Sequence, residues 1–156
     1  MFRCKNYANQ NLRLTGAKMT GVEVLNNYLR PNLSEELRGI SVLALAHVGD
    51  AVFELMVRTW LCTKGAATAK KLHGGAVAFV SAKAQAEAAD RILPILSEEE
   101  KAVFKRGRNA HANTVPRAST YEEYHVATGI EALFGHLYLS DNTERLGELF
   151  ELITEG

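Results

Sequence analysis

The stretch Ser41–Lys64, SVLALAHVGDAVFELMVRTWLCTK, decides the fold class. It holds no proline, exceeds normal strand length and is apolar nearly all the way round, which predicts a helix in the middle of the domain. Gly65 ends it. Downstream, residues 68–80 read as a weaker helix, broken or bent near Gly74 and Gly75. Ser81–Leu93 is Ala-rich and strongly helical in propensity, and Pro94 closes it. Ser97, Glu98, Glu99 and Glu100 form a capping box that opens a short helix carrying Val103 and Phe104. The segment Gly107–Ser119, with glycine, asparagines and proline but no periodicity, reads as a loop. Thr120 with Glu123 is a second capping box, starting a long helix through TYEEYHVATGIEALFGHLYL, and a last helix is expected from about Thr143 to Ile153.

Upstream, Val22, Leu25, Tyr28 and Leu29 recur at helical spacing until Pro31, after which Ser34 is placed as a helix cap with Glu35 and Glu36 in the first turn. Residues 1–20 are polar and rich in Asn, and are expected to form a mobile extension before a single domain over 21–156. No internal repeat or strand pattern is visible. The expected fold is all-α.

The composition narrows the function. The chain has 156 residues, 47% hydrophobic and 23% charged, ordinary values for one globular domain. Eighteen Lys+Arg balance eighteen Asp+Glu, so binding driven by bulk charge is excluded while a local basic patch is not. The two cysteines, Cys4 and Cys62, make neither a metal-ligand spacing nor a redox motif, which favours a reducing compartment. No apolar run reaches transmembrane length, and the N-terminus has no signal-peptide core, so no membrane partner and a cytoplasmic location are expected.

Asp50 is the most informative residue. It lies within LALAHVGDAVFELMV, where an unpaired buried carboxylate would be costly. Helical steps place His47, Asp50, Glu54 and Arg58 on one polar stripe. That stripe is either a salt-bridge row fastening this helix to a neighbour, or part of a hard-metal site built from carboxylates. Glu131 is the matching anomaly in YHVATGIEALFGHLYL, with Thr128 one turn before it and Gly135 one turn after. Gly129 and Gly135 lower helix propensity, so each is expected to serve close helix contact. A helix thinned in this way could approach the Asp50 helix and bring both carboxylates within reach of one cation.

A third feature is the window Lys101–Ala118, KAVFKRGRNAHANTVPRA, with five Lys/Arg, one His and no acid. It is either an ordinary solvated loop or a patch that contacts phosphates, for which the arginine fork is suited. Two internal carboxylates beside a basic loop suggest a metal-dependent enzyme acting on phosphodiesters. His111, His125 and His136 do not form a metal set and are expected to be surface or packing residues.

These blocks together resemble a known family. LALAHVGDAVFELMVR is similar to the signature helix of the ribonuclease III catalytic domain, in particular its compact Mini-III branch. VSAKAQAEAA, KRGRNAHANTVPR and HVATGIEALFGHLYL resemble further blocks of that branch in the same order, from about Leu43 to the C-terminus. The resemblance implies an all-α, homodimeric endoribonuclease without a double-stranded-RNA-binding domain. It implies that Asp50, after the signature Gly49, and Glu131 are catalytic and bind Mg2+, with Mn2+ as a substitute. The metal would polarise the scissile phosphate and generate the attacking hydroxide, leaving 5′-phosphate and 3′-hydroxyl ends on double-stranded RNA. The implied substrate is the precursor of the large-subunit (23S) ribosomal RNA, with ribosomal proteins or pre-ribosomal particles as further partners.

Departures from the full-length enzymes are visible. Leu43 and Ala46 stand where those carry acids in the signature helix, and Thr128 stands where they carry an acid one turn before the glutamate. Fewer protein ligands leave more of the magnesium shell to water and RNA phosphate. His47 stands where relatives often have an aromatic residue. Lys105, Arg106, Arg108 and Asn109 are the candidates for RNA contact, followed by Lys83 and Arg117. The rival readings are a catalytically silent double-stranded-RNA-binding or ribosome-assembly protein on the same fold, and a helical phosphohydrolase acting on nucleotides.

Overall fold

In the computed structural model, residues 29, 31–65, 68–110 and 119–155 are described. Six helices account for most of them: α1 (Val42–Thr63), α2 (Ala69–Val80), α3 (Ala82–Ile92), α4 (Glu98–Arg108), α5 (Tyr121–Leu139) and α6 (Thr143–Glu155). Among the described residues there is no strand, as the sequence predicts. The expected extension over residues 1–20 and the helix expected from Val22, apart from Leu29, lie outside the described residues.

Helices α1 to α5 each start where a side chain satisfies one of the first amides. Ser41 accepts from the Ala44 N–H at the head of α1, and Thr68 accepts from Lys71 N–H at the head of α2. Both expected capping boxes are present. Ser97 and Glu100 open α4, and Thr120 and Glu123 open α5, with the glutamates returning to the cap amides at 2.7 Å. Helix α1 stops at Lys64, where Gly65 takes φ +81°, a left-handed conformation that glycine adopts without strain.

The core is arranged around α5, which is packed by α1, α3, α4 and α6. Phe53 of α1 meets Phe134 of α5 edge-on at 5.1 Å and Phe150 of α6 at 6.0 Å. Phe53, Phe134 and Leu133 are fully buried, each burial stabilising the fold by about 1.5–3 kcal/mol. Arg145 of α6 ties the α4 end of the domain together. It donates to the Glu100 carboxylate at 2.8 Å and to the Ile95 carbonyl at 2.9 Å. The Arg145 guanidinium holds the Glu100 carboxyl below its usual range.

Three sequence expectations need correction. Helix α2 runs through Gly74 and Gly75 without a break, because packing outweighs their low propensity: Gly75 faces the Leu61 side chain, 3.1 Å from where its Cβ would be. Ser34 caps no helix. Its N–H and hydroxyl donate to Asn32 Oδ1, while Leu33 N–H is held by the Leu139 carbonyl at 2.7 Å, and the chain makes only a short 3-10 turn at Leu37–Gly39. Helix α4 also continues through Gly107 to Arg108, so the loop expected from Gly107 starts later. Gly107 is buried against α5, where a Cβ would stand 2.7 Å from Ala132 Cβ. Its missing side chain permits close approach and does not end the helix.

Candidate active site at a helix crossing

Helices α1 and α5 cross with their backbones in contact. A Cβ on Gly49 would collide with the Glu131 carbonyl oxygen, and one on Gly135 would collide with the Leu45 carbonyl oxygen. Gly135 therefore makes the contact with the Asp50 helix that its place in the sequence suggests. Gly129 serves a different neighbour: a Cβ there would stand 2.8 Å from Phe104 Cε2 of α4. Two glycine-mediated contacts thus bring α1 and α4 onto α5.

The crossing sets the position of the acids. Asp50 follows Gly49 on α1, and Glu131 lies one turn before Gly135 on α5, so the two carboxylates sit in each other's field. Burial pushes the Glu131 carboxyl up to about 7, and the Asp50 charge pushes in the same direction. Asp50 reaches solvent, yet burial first and then Glu54 raise its carboxyl above the ordinary value, with His47 opposing. Neither acid is in an ion pair among the described residues.

Among the described residues, the polar stripe on α1 makes no ion pair with a neighbouring helix. Glu54 pairs with Arg58 one turn along the same exposed face, and His47 is exposed. This removes the salt-bridge-row reading of Asp50. What remains is a pair of like charges, one half-buried, which is an arrangement a divalent cation relieves. Hard oxygen donors suit Mg2+, and two of them leave room for water or phosphate oxygens in the shell. Among the described residues no group of three or more His, Cys, Asp or Glu side chains gathers. Thr128 does not replace the missing acid as a free group: it is buried and donates to the Tyr124 carbonyl at 2.9 Å.

Lys105, Arg106 and Arg108 are exposed in the last turn of α4, and exposed Asn109 caps that helix. This part of the basic block is therefore helical, not loop. His125 is a packing residue, buried with Nδ1 2.7 Å from the Arg108 carbonyl oxygen. His136 is half-buried, and burial lowers its affinity for a proton. Lys83, exposed on α3, stands 4.0 Å from Glu87, so it faces an acid on the same helix. Arg117 and His111 lie outside the described residues.

Two features escaped sequence reasoning. Gln85 on α3 is a buried polar side chain whose Nε2 donates to the Val80 carbonyl at 3.4 Å while its Oε1 has no partner among the described residues. A single polar residue on the stripe Gln85, Ala88, Ala89 and Ile92 was the available signal. The other feature is an apolar groove of about 590 Å³ on the outer side of α1, lined by Val48, Val52, Leu55, Met56, Tyr138 and Leu146 among others. Helix α1 is apolar on both sides because one faces the core and the other faces this groove.

Comparisons with known proteins agree with this arrangement. Residues 43–142 match the model of the ribonuclease III domain. The chain is 45% identical to Mini-ribonuclease 3 of Thermoanaerobacter sp. (strain X514), over 76% of this chain and 83% of the relative. It is 41% identical to Mini-ribonuclease 3 of Brevibacillus brevis, over 81% of this chain and 92% of that one. A crystal structure of a protein from Fusobacterium nucleatum superposes with a TM-score of 0.72 at 34% identity, covering 78% of this chain and 98% of that one.

Proposed function

Because the chain belongs to the ribonuclease III family, in its Mini-ribonuclease 3 branch, and is an endoribonuclease, we propose that it cuts double-stranded RNA with Asp50 and Glu131 as its magnesium ligands. The observation that supports this reading best is the Gly49–Gly135 crossing, which brings the Asp50 and Glu131 backbones together and puts Glu131 in the field of Asp50, neither acid being ion-paired among the described residues. When bound there, Mg2+ supplies Lewis-acid activation of the phosphate and of water, and Mn2+ substitutes for it. Asp50 reaches outward to the substrate side, while half-buried Glu131 holds its carboxylate from beneath. Both must be deprotonated to serve, and mutual repulsion keeps them poised for a cation. The products are 5′-phosphate and 3′-hydroxyl ends.

Lys105, Arg106, Arg108 and Asn109 supply phosphate and 2′-hydroxyl contacts from the exposed end of α4, recognising A-form shape more than base sequence. The apolar groove beside Asp50 on α1 supports an isologous homodimer, in which each copy cuts one strand. The double-stranded stem of the 23S ribosomal RNA precursor is the proposed target, presented free or on a pre-ribosomal particle.

The test is a gel assay of end-labelled double-stranded RNA with Mg2+, comparing wild type, Asp50→Asn and a chelator control. Internal cuts on both strands by wild type alone are expected. Binding without cleavage by wild type would sink the catalytic reading and leave an RNA-binding protein on the same fold.

A further inference from the structure

Away from the candidate site, α6 borders a second groove, of about 490 Å³, lined by Ile95, Arg145, Glu148, Glu151, Leu152 and Glu155. It is separate from the groove on α1, which α6 borders through Thr143, Leu146 and Gly147. Two apolar side chains stay open in it, Ile95 at 46% and Leu152 at 43% exposure. Around them the charge is of one sign. Glu144, Glu148, Glu151 and Glu155 recur along α6 at helical spacing and are all exposed, so they share one face of the helix. Arg145 does not neutralise that face, because its guanidinium is taken up by the Glu100 carboxylate, the Ile95 carbonyl and Glu148. Glu144, Glu151 and Glu155 form no ion pair among the described residues.

The helix itself gains nothing from these acids. Like charges one turn apart weaken it, and Glu151 and Glu155 stand toward its partly negative C-terminal end, where cations are favoured and the last turn holds none. Arg91 of α3 donates to the Ile153 carbonyl at 2.7 Å and pairs with neither acid. An apolar groove flanked by acids repels a polyanion, so RNA does not fit it, and in a second copy seated on the same face acids would meet acids. A cationic segment with apolar side chains complements it. We propose that this groove is a docking surface for a Lys/Arg-rich protein segment, with Ile95 and Leu152 receiving its apolar side chains and Glu151 and Glu155 its cations. Proteins bound to RNA carry such segments, since they neutralise phosphates with Lys and Arg. Assigning the segment to one of them rests on the RNA-substrate reading above. Arg145 joins the groove to Glu100 in the first turn of α4, the opposite end of that helix from Lys105, Arg106 and Arg108, so docking leaves the basic end free for RNA.

The probe is a synthetic amphipathic peptide of lysine and leucine, compared with a peptide of equal charge in which alanine replaces leucine. Methyl NMR of the full chain follows Ile95 and Leu152, with Leu55 of the other groove as reference. The leucine peptide should shift Ile95 and Leu152 and leave Leu55 unmoved, and the alanine peptide should bind roughly tenfold more weakly. A double variant, Glu151→Lys with Glu155→Lys, should bind the leucine peptide roughly tenfold or more weakly than wild type. It should also unfold at or above the wild-type temperature and cut naked duplex RNA as wild type does. Leu152→Ser should weaken the leucine peptide and leave the alanine peptide unaffected. Equal affinity for the two peptides would reduce the groove to diffuse charge attraction and overturn the proposal. So would shifts centred on Leu55, movement of Ile95 and Leu152 by duplex RNA, or unchanged affinity in both variants. Destabilisation of the double variant overturns it too, since the acids would then be structural. If wild type leaves duplex RNA uncut while the leucine peptide still seats at Ile95 and Leu152, the substrate reading falls and the docking surface stands without its RNA-borne source.

Discussion

Asp50 and Glu131 differ in their surroundings more than in their chemistry. Asp50 is open to solvent at the edge of the crossing, so Asp50→Asn removes charge without disturbing packing. It should lower cleavage roughly a thousandfold, the equivalent of several kcal/mol of lost charge stabilisation, while circular dichroism and RNA binding stay as in wild type. Glu131 predicts a pH dependence. Its carboxyl is raised from 4.5 to about 7, so between those values the metal-free folded state binds a proton that the unfolded chain has released. The associated stability is fully present below the lower value and is lost as pH rises through the upper one. Cation binding must expel that proton, so the Mg2+-induced rise in Tm should grow between about pH 6 and about pH 8. A Glu131→Gln variant should show neither trend, and a wild-type Mg2+ response that is flat across that range would remove Glu131 from the site.

Among the elements, the α1–α5 crossing governs the site through its glycines. Gly135→Ala forces a Cβ into the Leu45 carbonyl, which is backbone and has little freedom to yield. A loss of about 3 kcal/mol is expected in urea unfolding, at the upper end of overpacking costs, together with loss of cleavage as the carboxylates part. Gly74→Ala is the contrast. That glycine is exposed in the interior of α2 with nothing near its missing Cβ, so alanine should stabilise by about 0.5–1 kcal/mol. The end of α4 carries a separate expectation. Arg106→Ala with Arg108→Ala should reduce the slope of log affinity against log salt by about one for each arginine. An unchanged slope would make the end of α4 a bystander to RNA.

For the whole molecule, zero net charge means that affinity for a polyanion must come from local placement. The proposed dimer follows from surface chemistry: Leu55 is 62% exposed on the same side of α1 that lines the apolar groove. In an isologous pair one substitution acts twice, so Leu55→Glu should shift sedimentation from dimer to monomer. Cutting of both strands should fall with it. A wild-type monomer that still cuts both strands would overturn the dimer.

Local features of the chain carried much of the result. The helical period of Ser41–Lys64, both capping boxes and the two carboxylates stranded in apolar helices could be read directly, because a helix and its caps are built from neighbours within about one turn. Gly129 and Gly135 were also legible as contact residues. Which helix each would meet was not, since Gly135 meets α1 and Gly129 meets α4, and neither partner is near in sequence. Gly107 shows the limit most clearly: by local propensity it breaks a helix, yet against Ala132 it lets one pass closely. The sequence by itself determined the helices and the identity of the acids through short-range hydrogen bonding and periodicity. Tertiary packing alone decided which backbones touch, and the burial that follows raises the Glu131 carboxyl.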